Sequence, residues 1–181
     1  KTATVFFSDI RGFTSYSEQV EPERVVAMLN GVLSSQAAIV RRHGGDIDKY
    51  VGDELVAVFE GPDMAVRAVR AALDIQREAS ASFAVEDRER VKIGIGINTG
   101  DMIMGAMGSA ERMDYTVIGD NVNLGSRLCS SAAPGQILIS ESTAQLLAKP
   151  SWCSLQALEP IKVKGKQAAV RVYEVQGTRQ S

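Results

Sequence analysis

Apolar and polar positions along this chain alternate between strand and helix periods. Residues 3–8 form an apolar run closed by Asp9 and then Gly12, which predicts a buried strand. Over residues 22–43, Val25, Val26, Leu29, Val32 and Leu33 recur at helical spacing, and Gly44-Gly45 ends the predicted helix. Residues 46–59 read as two apolar runs around Val51-Gly52-Asp53-Glu54, a hairpin whose tip presents an acid. A second helix is predicted over 64–79, followed by a polar loop over 79–90. Strands over 91–97 and 102–107 are joined by a turn at Asn98-Thr99-Gly100-Asp101. A short strand over 115–118 leads into a third helix over 121–131, with Asp120 placed to cap it. Residues 136–139 are a strand, 141–147 a short helix, and 161–164 with 170–175 closing strands. Strands alternating with amphipathic helices, without internal repeats, predict one α/β or α+β domain over residues 1–181.

Composition narrows the chemistry. The 181 residues suffice for one well-cored domain and fall short of two. At 45% apolar and 23% charged the chain is ordinary globular material, and a formal net charge of −2 argues against a nucleic-acid partner. No apolar run reaches membrane-span length and no signal-peptide pattern is seen, so a cytoplasmic domain is expected. The chain opens at Lys1 beside a strand, as a piece excised from a longer, even membrane-anchored, protein would. Cys129 and Cys153 lack metal-ligand spacing. His43 falls at a predicted helix C-terminus, where a cation meets the helix dipole. The glycines of Gly94-Ile95-Gly96-Ile97-Asn98-Thr99-Gly100 have the wrong spacing for a dinucleotide cradle and run into a strand, so they predict close backbone packing.

Three places carry candidate chemistry. Asp9 and Asp53 end adjacent predicted strands, and two carboxylates there make a hard, oxygen-rich corner that suits magnesium with substrate phosphates. Asn123 and Arg127 share one face of the third helix, where an amide and a guanidinium would bind ribose or phosphoryl groups, or form a solvated face. Val163-Lys164-Gly165-Lys166 is a phosphate contact or an exposed turn.

The motifs FFSDIRGFT, DKYVGDELVAVF, GINTG, DYTVIGDNVNLGSRL and VKGK, in that order, resemble the catalytic domain of the class III nucleotidyl cyclases over essentially the whole chain. The resemblance implies an α+β fold: a ferredoxin-like βαββαβ palm core with extra strands and helices, working as a head-to-tail dimer. Both subunits would build each site, so a homodimer would carry two composite sites. Asp9, Asp53 and the Ile10 carbonyl match the metal-binding positions, for two Mg2+ ions per site with Mn2+ able to substitute. Lys49 and Thr116 match the base-reading pair, Asn123 and Arg127 the transition-state pair, and Lys164 the lysine on the terminal phosphates. The implied reaction converts ATP to 3′,5′-cyclic AMP and pyrophosphate, under a regulatory domain in cis or in trans.

Lysine is donor-only, so Lys49 suits the N1 acceptor of adenine and opposes the N1–H of guanine. Threonine at position 116 resembles a subgroup of bacterial and bicarbonate-responsive cyclases. Asp101 stands where some relatives place a phosphate-holding arginine, a task left to Arg11 or Lys166. The alternatives are a guanylyl cyclase, disfavoured by Lys49, and a catalytically silent nucleotide-binding or dimerisation module. A diguanylate-cyclase-like enzyme lacks its hairpin motif here.

Overall fold

The computed structural model describes residues 1–78, 81, 83, 87–88, 91–109, 112–148, 150–163 and 168–177. Four strands and two helices form the core: β1 (Thr2–Arg11), α2 (Pro22–Arg42), β2 (Asp46–Val51), β3 (Glu54–Phe59), α3 (Met64–Glu78) and β4 (Lys92–Asp101). The short α1 (Phe13–Gln19) lies between β1 and α2. These strands run in the order β2-β3-β1-β4, each antiparallel to its neighbour, which is the ferredoxin-like βαββαβ arrangement. Outside it, β7 (Ile137–Ser140) joins β4 in parallel, and β9 (Val172–Gly177) and β8 (Cys153–Ala157) complete the seven-stranded sheet. A separate ribbon pairs β5 (Ile103–Ser109) with β6 (Arg112–Ile118), ahead of α4 (Asp120–Ser131) and α5 (Glu141–Gln145).

Strand alternation divides the core between the two faces of the sheet. Phe6, Leu55, Ala57, Phe59, Ile93, Ile95 and Ile97 pack on the α2 and α3 side. Val5, Phe7, Val56 and Val58 face the other way, with Val117 and Cys129. On that second face β4 presents Gly94, Gly96 and Gly100, with the Asn98 amide donating to the Asn121 carbonyl of α4. A Cβ on Gly96 would stand 2.2 Å from the backbone nitrogen of Cys129, and one on Gly125 would stand 2.8 Å from Cγ1 of Val5. The glycine pattern is therefore a seat for α4, as close backbone packing requires.

Several expectations are corrected. Asn98-Thr99-Gly100-Asp101 is not a turn, because β4 continues through it. The Asn98 and Thr99 side chains are buried and paired: Thr99 Oγ1 lies 2.8 Å from Thr4 Oγ1 and 2.9 Å from Thr143 Oγ1, and Asn98 accepts from Ser140 at 2.6 Å. Hydrophilic residues read as a loop are a satisfied polar core here. Asp120 does not cap α4; it is the first helical residue, after Gly119 at φ +133, and its charge suits the helix start. Over 161–163 there is a single bridge between Ile161 and Val170 in place of a strand, and these apolar residues pack beside Leu124 and Leu138. Lys164 and Lys166 lie outside the described residues, as does part of the predicted loop over 79–90. The helix α1 and the edge strand β8 carry too few buried residues to have shown a period. His43 follows α2 as its cap and hydrogen-bonds Asp74 of α3 at 2.7 Å. No described helix is long and apolar enough to cross a membrane.

Gly96→Ala tests the seat of α4. Overpacking against backbone costs about 1–3 kcal/mol, whereas removing a glycine from a strand returns at most about 1 kcal/mol. The variant is expected to unfold at lower denaturant concentration than the wild type. A midpoint at or above the wild-type value would mean that α4 shifts freely.

Candidate active site

The β2–β3 hairpin turns at Gly52, whose φ of +60 suits glycine, and this presents Asp53 at the tip. There Asp53 Oδ2 accepts the backbone N–H of Ile10 at 2.9 Å, tying the hairpin to the end of β1. Within a strand, a residue's N–H and C=O point to the same edge, so the Ile10 carbonyl is directed toward this corner as well. Asp9, Ile10 and Asp53 are thus brought together.

Two further groups join the corner that the spacing of motifs did not single out. Carboxylate oxygens of Asp9 and Glu54 and the Sγ of Cys129 lie within 4.8 Å of one another. Burial raises the Asp9 pKa above its ordinary value; the Arg11 guanidinium opposes this and the Asp53 charge adds to it. Glu54 is raised by burial first and then by Asp9 and Asp53. The Asp9 Oδ1 is buried without a hydrogen bond, although Arg11 Nε approaches to 3.4 Å. Crowded carboxylates with an unsatisfied oxygen fit a divalent cation. The Cys129 thiol does not fit a hard cation: burial, with the Asp9 charge next, pushes its pKa well up and keeps it protonated.

Lys49, Glu54, Asn123 and Ser126 line a cavity of about 430 Å³, walled by Phe7, Val56 and Val122. Thr116 lines an adjoining cavity of about 200 Å³ with Met104 and Gly105. Asp48 borders both. Its Oδ2 accepts from Thr116 Oγ1 at 3.0 Å and lies 3.5 Å from Lys49 Nζ. Neighbours on a strand ordinarily point to opposite faces. Here Ile47 pairs with Ala57 and Lys49 with Val56, so Asp48 is the extra residue of a β-bulge. The bulge re-aims the two side chains toward one region. Sequence reasoning passed over Asp48; its only signal was an acid and a base side by side in a strand that should alternate.

Asn123 and Arg127 are exposed one turn apart on α4. Arg127 opens onto a different depression, shared with Gln136, Leu158 and Lys162. Within one chain Lys49 and Asn123 thus share a cavity, while Thr116 and Arg127 open onto others. Arg11 turns inward, donating to the Cys129 carbonyl, and so is not free for phosphate. Asp101 accepts from Thr2 Oγ1 at 2.6 Å, at the opposite end of β1 from Asp9.

A family model described as the adenylate and guanylate cyclase catalytic domain matches residues 1–177. An adenylate cyclase of Anabaena cylindrica is 39% identical over 181 residues, covering 95% of this chain and 36% of that protein. The chain thus spans about a third of that relative's length. The crystal structure of the adenylyl cyclase CyaB from P. aeruginosa superposes with a TM-score of 0.90 at 37% identity, over 99% of this chain and 96% of that one. The guanylate cyclase domain of RhGC from Catenaria anguillulae, solved in complex with GTP, gives 0.86 at 34% identity, over 98% and 97%.

A raised carboxyl pKa means that the folded chain holds the proton more tightly than the unfolded one. The stability that Asp9 contributes is then full below its ordinary value of 3.8 and is lost as pH rises through the raised value. Asp9→Asn has no such charge. In EDTA it is expected to melt above the wild type at neutral pH, with the gap closing below about pH 4. A lower melting temperature for D9N at pH 7 would mean that Arg11 holds the carboxylate more strongly than burial penalises it.

Proposed function

The chain belongs to the adenylate and guanylate cyclase catalytic domain family, and on that premise we propose that it converts ATP to 3′,5′-cyclic AMP and pyrophosphate. The observation that carries the choice of ATP is Lys49 lining the 430 Å³ cavity with Asn123. A donor-only ammonium pairs with adenine N1 and opposes the N1–H of guanine, and an unpaired polar group in a closed site discriminates strongly. Thr116 takes the adenine 6-amino group.

Asp9, Asp53 and the Ile10 carbonyl would hold two magnesium ions, with manganese able to substitute. When bound, these ions would neutralise the triphosphate and lower the pKa of the attacking 3′-hydroxyl. Asn123 orients the ribose so that O3′ faces the α-phosphorus in line with the leaving pyrophosphate. Arg127 places its guanidinium on the α-phosphoryl oxygens, where negative charge builds. Lys164 contacts the terminal phosphates. The only histidine, His43, caps α2 and is bound to Asp74, so no imidazole serves as base. The hydroxyl proton passes to a phosphate oxygen of the nucleotide.

The opening of Arg127 onto a depression apart from the Lys49 cavity supports a homodimer, in which the Asp9–Asp53 corner of one subunit faces the Asn123–Arg127 helix of the other. Closed symmetric dimers are the commonest oligomers. The chain is read as one catalytic module of a longer protein whose other domains regulate it. That agrees with the limited share of its Anabaena relative that it covers.

The purified chain, given ATP or GTP with magnesium or manganese, is expected to form cyclic AMP from ATP, with little product from GTP. Specific activity should rise with protein concentration. Lys49→Glu should cut ATP turnover sharply; unchanged turnover would remove Lys49 from the base pocket. Arg127→Ala should lower kcat by about 10²–10³.

Mixing tests the composite site separately. Asp53→Asn and Arg127→Ala should each be inactive alone, and together recover about a quarter of wild-type activity, because half the dimers would be mixed with one intact site each. No recovery in a mixture that exchanges subunits would place all these residues in one subunit's site.

A further inference from the structure

Resting on the assignment of Thr116 to the purine 6-position, we propose that Asp48 is a specificity-determining positioning residue that sets the direction of the hydrogen bond Thr116 makes. A threonine hydroxyl carries one hydrogen and two lone pairs, and its rotor turns to suit the partner. Left free, it would donate to the 6-oxo group of guanine as readily as it accepts from the 6-amino group of adenine. By itself such a residue barely discriminates.

The geometry removes that freedom. Thr116 Oγ1 donates to Asp48 Oδ2 at 3.0 Å, and a carboxylate oxygen can only accept. With its hydrogen engaged, Oγ1 presents lone pairs alone to the nucleotide. These attract an amino group and oppose a carbonyl oxygen. The same Oδ2 lies 3.5 Å from Lys49 Nζ, so one oxygen orients both the acceptor and the donor of the base-reading pair. The Asp48 side chain is 7% exposed, which restricts access of water to compete for that hydrogen.

The backbone is built for this arrangement. A regular strand would turn Asp48 and Lys49 to opposite faces. The extra residue inserted between Ile47 and Lys49 interrupts the ladder at Asp48 itself. Asp48 contacts the nucleotide nowhere in this reading; it acts through Thr116 and Lys49.

The test compares kcat/KM for ATP, GTP and purine riboside triphosphate, which carries only hydrogen at C6. It uses wild type, Asp48→Ala, Thr116→Val and the double variant. Asp48→Ala frees the Thr116 hydrogen to meet a carbonyl oxygen, so GTP is expected to rise about tenfold against purine riboside triphosphate, the effect of relieving one mispaired polar group. ATP should change little against the same reference, because the freed hydroxyl still accepts from the 6-amino group. Thr116→Val should lower the ATP ratio by about the same factor, and on that background Asp48→Ala should no longer raise GTP.

If Asp48→Ala scales all three nucleotides equally while Thr116→Val remains selective, Asp48 is structural and the inference fails with the base assignment intact. If neither variant is selective, the assignment of Thr116 to the purine fails and takes the inference with it. Should Asp48→Ala not fold by thermal melt, Asp48→Asn keeps the shape and carries the same comparison. Its amide nitrogen can donate to Thr116 and leave the hydroxyl hydrogen for the nucleotide, so the GTP ratio should again rise; an unchanged GTP ratio would overturn the proposal.

Discussion

The close seating of α4 on the glycine face of β4 is the constraint on which the site depends. With no side chain at Gly96, the backbone of Cys129 approaches the strand at a distance that a Cβ would forbid. That depth fixes the roof over the end of β1. The Cys129 carbonyl takes the Arg11 guanidinium, and its thiol closes over Asp9 and Glu54. The same seating turns the other face of α4 outward, carrying Asn123 and Arg127 into the open. Packing of a helix interior thus decides where two polar side chains stand on its exterior, which follows from the rigidity of close-packed cores.

Charge is gathered at the hairpin corner against the preference of the fold. Burial penalises the charged forms of Asp9 and Glu54, the neighbouring Asp53 charge adds to both, and Arg11 offsets only part of it for Asp9. Crowding of like charges with an unsatisfied oxygen is a common mark of a functional site. The contrast with the polar cluster of Thr4, Asn98, Thr99, Ser140 and Thr143 is instructive. There the buried groups pair with one another and stabilise the sheet. In the corner the Asp9 Oδ1 has no hydrogen-bond partner among the described residues.

The hairpin tip was legible because Gly52 and two flanking apolar runs specify a turn locally, and the strands and long helices because their periods are strong. The turn expected at Asn98-Thr99-Gly100-Asp101 was misread because partners more than forty residues distant, such as Ser140, satisfy those polar groups. The short α1 and the edge strand β8 bury too little to leave a pattern.

The sequence by itself determined the alternation of elements, the acids at the ends of β1 and the hairpin, and the pairing of Asn123 with Arg127 on one helix face. These are local facts, set by backbone period and residue type. Only the tertiary structure decided that Glu54 and Cys129 crowd Asp9, that Arg11 turns inward, and that a bulge brings Asp48 between Lys49 and Thr116. Each of those depends on register and packing between segments far apart in the chain, and no local spacing encodes such distances.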